Sequence, residues 1–121
     1  MIQCKRVYDA PAQNDGLRVL IDRLWPRGIK KTDLHYDLWE KELAPSATLR
    51  KEWHHGVIDF TVFKKDYQAE LKENLPAAKS LIKKAQGRNL TLLYGAKDTQ
   101  NNHARVLAEF LLNLSCVESD E

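Results

Sequence analysis

Arg18-Val-Leu-Ile-Asp-Arg-Leu-Trp-Pro-Arg-Gly28 brings three guanidinium groups, one carboxylate and an indole into a single short segment. Guanidinium forks match the paired oxygens of phosphates and carboxylates, so Arg18, Arg23 and Arg27 are candidate ligands for an anion. Asp22 is the candidate general base or orienting carboxylate, and Trp25 offers a flat face for stacking. The competing reading is structural: the arginines pair with Asp22 and the indole packs. Alternate residues of a strand face opposite ways, so all three arginines cannot enter one pocket.

A second polar cluster, Tyr94-Gly-Ala-Lys-Asp-Thr-Gln-Asn-Asn-His103, joins a strand pattern to a helix pattern. Helix N-termini carry unpaired N–H groups and the positive end of a dipole, which favours anions and catalytic side chains there. Asp98 and Asn102 are candidate ligand contacts and His103 a candidate acid/base, while a helix cap would use the same residue types. Neither G-x-G-x-x-G nor G-x-x-x-x-G-K-[ST] occurs. The third cluster is Trp39, Lys41, Pro45, Ser46, Arg50, Trp53, His54 and His55. Neighbouring histidines on a helix diverge by about 100°, so they make a poor metal pair, and no metal or cofactor is expected. Ser46 lacks a nucleophile elbow and reads as a cap. Lys41 and Arg50 could add to an anion site, and solvated surface charge is the competing and favoured reading.

The elements that must hold these residues follow from pattern. Residues 2–8 and 17–24 read as strands, and Val19-Leu-Ile21 is the unbroken apolar run of a strand buried on both faces. Residues 36–43 read as extended. Ser46 caps a short helix ending at Gly56, Asp59 caps a longer one through Phe63, Tyr67 and Leu71, and Pro76 opens a third that stops at Gly87. Residues 90–94 form the last strand and 101–114 the closing helix, with Val106, Leu107, Phe110 and Leu111 on its apolar face. Val19, Ile21, Phe63, Tyr67, Leu92, Val106, Leu107 and Phe110 are the expected core. This order predicts a single small α/β domain over 1–121, with a mostly parallel sheet and helices covering both faces. If strands 17–24 and 90–94 are parallel, Asp22–Arg27 opens beside Gly95–His103.

The chain of 121 residues suffices for one core. Cys4 and Cys116 lack zinc or disulfide spacing and read as reduced thiols, and no leader or membrane-length apolar run is apparent, so a soluble cytoplasmic protein is expected. Net charge is +2, yet residues 1–31 carry seven Lys/Arg against three Asp, whereas residues 32–60 carry three basic against six acidic. The basic first third can attract an anion locally. The acidic end, 117–121, is expected to fray.

Arg6-Val-Tyr-Asp9, Asp15-Gly-Leu-Arg-Val-Leu-Ile-Asp-Arg-Leu-Trp-Pro-Arg-Gly28, Leu38–Ser46, Leu49-Arg50 and Leu92–Asp98 with Asn102-His103-Ala104 together resemble the domain-of-unknown-function 488 family. The resemblance implies a compact α/β fold in a bacterial cytoplasmic protein, and it supplies no reaction, cofactor or catalytic residue. The family pattern often places His before the Asn of the final motif. This chain has Asn101 there, so a histidine's role falls to His103.

Three functions compete. The first is a site for a small phosphate- or carboxylate-bearing ligand, nucleotide-like among the options, held by the arginines and the start of the last helix. The second is a nucleic-acid module using the basic first third, with Trp25 and Tyr8 as stacking surfaces. The third is a protein-interaction module presenting Trp39 and Trp53.

Overall fold

A computed structural model describes the backbone of residues 1–119 and the side chains of residues 1–115. The elements are β1 (Ile2–Arg6), β2 (Leu17–Leu20), β3 (Leu38–Trp39), α1 (Ala47–His54), α2 (Phe60–Lys72), α3 (Leu75–Ala85), β4 (Leu90–Tyr94) and α4 (His103–Ser119). The four strands form one parallel sheet in the order β1-β4-β2-β3. The expected pairing of the second and last strands is present, with Val19 beside Leu92 and Leu20 beside Leu93. Residues 36–43 contribute a two-residue strand followed by a 3-10 turn at Lys41–Leu43. The expected frayed end, 117–121, and the side chain of Cys116 lie beyond the side chains described.

Alternation along β2 divides the interior. Leu17, Val19 and Ile21 face the main core with Leu92, Phe63, Tyr67, Leu81, Leu107 and Leu111, so all four helices cover this one face. Leu20 and Leu93 face the other way, and there the cover is the irregular segment between β2 and β3: Leu34 is buried against them, and Trp25, Ile29 and Tyr36 pack alongside. Helices on both faces were expected, and the structure corrects this. The β2–β3 connection has no helical period, but its scattered apolar residues cap the second face. Of the expected core, only Phe110 departs: it lies half-buried at the edge of α4, while the other seven are buried.

The helix starts are built as the sequence suggested. Asp59 accepts from the Val62 N–H at 2.9 Å, and Ser46 Oγ accepts from the Leu49 N–H at 3.2 Å. Glu70 of α2 then accepts from both the N–H (2.9 Å) and the hydroxyl (2.6 Å) of Ser46. A carboxylate at the positive end of α1 is favourable, and it ties α1 to α2. Tyr67 donates from the buried interior to the Leu43 carbonyl, and burial lifts its hydroxyl pKa well above 10. Cys4 is a free thiol whose pKa is pushed up by burial, against the pull of Arg105.

Candidate functional site

Because every strand is parallel, the chain leaves β1, β2 and β4 on one edge. Loops at that edge are the usual place for a site in an α/β sheet. A cleft of about 670 Å³ opens there, between the segments that follow those strands and helices α1 and α2. That volume lies within the range of small-molecule sites.

At its base Asp22 and His103 meet. The imidazole Nε2 lies 2.8 Å from Asp22 Oδ1, and the Gly95 N–H donates to Asp22 Oδ2 at 2.9 Å. The Asp22 carbonyl accepts from Trp39 Nε1 at 2.7 Å. The carboxylate is therefore held at both oxygens and its backbone is held by an indole. Gly95 permits this close approach: a Cβ there would stand 2.9 Å from Asp22 Oδ2, so the carboxylate would have to shift. With Nε2 committed to Asp22, only Nδ1 of His103 is left to meet a ligand.

The cleft is also lined by Arg6, Arg23, Arg27, Arg50 and Lys97, five cationic side chains against the single carboxylate of Asp22. Among the described residues none of the five forms an ion pair. Arg23 donates through Nε to the Pro45 carbonyl at 3.1 Å and Arg6 to the Ala96 carbonyl at 3.0 Å, which fixes both stems and leaves their charge uncompensated. Arg50 goes further: its Nε is buried and has no hydrogen-bond partner among the described residues. His54, one helical turn on, is held below the usual histidine pKa by burial and by the charges of Arg50, His103 and His55. The apolar wall is Trp53, Phe63, Leu24 and Pro26, with Trp53 stacked on Phe63 at a ring distance of 4.3 Å.

Of the residues the sequence singled out, Asp22, Arg23, Trp25, Arg27 and His103 line the cleft. Arg18 does not. It is buried at the start of β2, paired with Asp15 and donating to the His35 carbonyl at 2.7 Å. Asp98 and Asn102 are also absent from the lining, because they build the turn into α4. Asp98 accepts from the N–H groups of Gln100 and Asn101, which hold its carboxyl below the usual range. Asn102 caps α4 by accepting from the Arg105 N–H at 3.0 Å. Trp25 is half-buried: Nε1 donates to the Ile29 carbonyl at 2.6 Å, and edge-on contacts to Tyr36 and Trp39 take up its ring. Trp39 and Trp53 are half-buried too.

The family model described as the inactive DUF488-N3 subclade matches residues 1–121. The chain belongs to this family. It is 55% identical over 113 residues to uncharacterized protein YeaO of Escherichia coli K12, covering 93% of this chain and 98% of that one. It is 39% identical over 111 residues to uncharacterized protein Rv3073c of Mycobacterium tuberculosis H37Rv, covering 91% and 92%. No solved structure matches the chain. Among the described residues no helix is long and apolar enough to cross a membrane.

Within this family member, sequence reasoning passed over Arg6 and Phe63 as cleft residues and named Tyr8, Trp53 and His54 without joining them to the Asp22–Arg27 segment in one cleft. It placed Lys97 beside that segment without giving it a role, and favoured a solvated charge over an anion site for Arg50. The signal for Arg50 was present: Arg50 and His54 share a helix face beside Leu49 and Trp53, which places a cation at the margin of the buried stripe. The signal for Arg6 and Tyr8 was their position at the end of the first strand. Once that strand is parallel to the others, its end joins the same edge.

Proposed function

We propose that this cleft binds a small molecule through a phosphate or carboxylate group, and that the protein is a binding module. The observation that carries this reading is the set of five cations around one carboxylate, none of them ion-paired with a described residue. Five like charges gathered around a single carboxylate repel one another, and an anion relieves that cost at the moment it binds. Partial burial strengthens each contact, because the effective dielectric falls away from water. Asp22 holds the imidazole by Nε2; when the ring is protonated, Nδ1–H is a further donor to the anion. Binding without turnover agrees with the description of the family as an inactive subclade.

The structure gives less support to the nucleic-acid reading. Lys5 and Arg18, two of the seven cations of the basic first third, are spent on Asp15 inside the fold, and the Trp25 face is occupied. We place this binding in the cytoplasm, as the reading of the sequence suggested.

The test is thermal denaturation with phosphate and sulfate at constant ionic strength. Ligand at a hundredfold excess over Kd should raise Tm on the order of 10 °C. Arg27 is exposed and its side chain makes no hydrogen bond or ion pair with a described residue, so Arg27→Ala should shrink the rise and leave the ligand-free Tm unchanged. A wild-type protein with no rise above the salt control would refute the reading.

A further inference from the structure

A bare oxyanion would use little of this cleft. Of the exposed large hydrophobic side chains among the described residues, two stand at its mouth: Leu24, 58% exposed, and Tyr8, 48% exposed. Neither is loose. Leu24 sits between Arg23, which is anchored on the Pro45 carbonyl, and Trp25, which is anchored on the Ile29 carbonyl. The Tyr8 hydroxyl donates to the Arg27 carbonyl at 2.8 Å, and the Arg6 guanidinium lies 4.8 Å from the ring centroid. An aromatic ring fixed by its hydroxyl and by a cation on its face, yet half open to water, is a preorganised stacking surface.

The cleft is graded from inside to outside. Phe63 and Pro45 are buried, Arg23, Arg50 and Trp53 are half-buried, and Tyr8, Leu24, Arg27 and Lys97 are exposed. The partly desolvated arginines are where a doubly charged group gains most, and the open apolar surfaces are where a flat uncharged body fits. Resting on the anion-site reading above, we propose that the ligand is a phosphate monoester carrying an aromatic ring, of the nucleoside monophosphate kind, with its phosphate towards Arg23 and Arg50 and its ring against Leu24 and Tyr8.

Titration calorimetry at fixed ionic strength tests this with four probes: inorganic phosphate, ribose 5-phosphate, AMP and phenyl phosphate. The two aromatic esters should bind about tenfold or more tightly than ribose 5-phosphate, the increment of one stacked ring. AMP binding more tightly than phenyl phosphate would assign the ring to a nucleobase, and the reverse order would assign it to a simple aryl group. Leu24→Ser, a change at an exposed position, should bring AMP close to ribose 5-phosphate. Equal affinity for AMP and ribose 5-phosphate would overturn the aromatic ligand and leave the anion site standing. An AMP preference untouched by Leu24→Ser would overturn the placement of the ring and with it the proposal. No binding of any phosphate probe would overturn both readings.

Discussion

Arg18 and Arg50 each take guanidinium nitrogen out of water, with opposite outcomes. Arg18 is paired with the buried Asp15 carboxylate and donates to the His35 carbonyl; Lys5 and Gln3 complete the shell around Asp15. Arg50 has a buried Nε and no partner for it among the described residues. A buried charge costs several kcal/mol unless it is paired, so the first arrangement is intelligible as architecture. The second is not, and it lies in the cleft with four other cations that lack ion pairs. Satisfied polar clusters mark what the fold needs, whereas an unsatisfied one marks where stability has been given up for another purpose.

The largest expected effect lies on the architectural side. Asp15→Asn leaves Arg18 buried without its counter-charge and should cost about 3 to 5 kcal/mol in denaturant unfolding, while phosphate binding by the folded protein stays intact. A lost phosphate response would mean that the two regions are one network. Burial opposes the charge on Asp15, but the Ala12 N–H, Lys5 and Arg18 outweigh it and hold the carboxyl below its ordinary 3.8. The unfolded chain thus binds this proton more readily. The stabilisation is full above the unfolded carboxylate's pKa and drains away as pH falls through the folded value. In Asp15→Asn that part of the acid limb should disappear.

Gly95→Ala is a sharper instrument. A methyl group 2.9 Å from Asp22 Oδ2 forces the carboxylate aside, which should cost about 1 to 3 kcal/mol through overpacking and separate Asp22 from His103. The change should be visible as a shift of the His103 ring resonances; unmoved resonances would show that the pair does not depend on Gly95.

The smallest effect concerns His54. Its pKa is held below 6.5 by burial and by Arg50, His103 and His55. An anion in the cleft offsets those cations and raises it, so sulfate binding should take up a fraction of a proton just below pH 6.5. Calorimetry in buffers of different ionisation enthalpy measures the uptake, and His54→Gln should reduce it.

The sequence made the architecture readable where local rules and global packing agree. Ser46, Asp59 and Pro76 punctuate helices because their chemistry is local, and the apolar runs of β2 and β4 demand cover on both faces. That Asp22 and His103 come together was legible for the same reason: once two strands are parallel, their ends open on one edge. Asp15 and Arg18 were harder, because an arginine inside a strand carries no mark saying whether it will face a carboxylate or a ligand. Asp98 and Asn102 show the converse, since the residue types that suit a ligand at a helix start also suit a cap. The cover on the second face was missed because Trp25, Ile29, Leu34 and Tyr36 follow no period; only the folded chain gathers them. Arg50 stayed undecided between anion site and solvated charge because helical spacing tells which residues share a face but not how deeply the margin of that face is buried.

The most direct test of the contrast is Arg50→Met, with wild type as reference, followed by thermal unfolding with and without phosphate at constant ionic strength. Methionine keeps the aliphatic bulk and removes a charge that has no partner. The ligand-free Tm should therefore stay level or rise, and the phosphate-dependent increase should vanish. A mutant that melts several degrees lower and still responds to phosphate like wild type would show Arg50 to be structural, as Arg18 is, and would contradict the assignment of this cleft as an anion site.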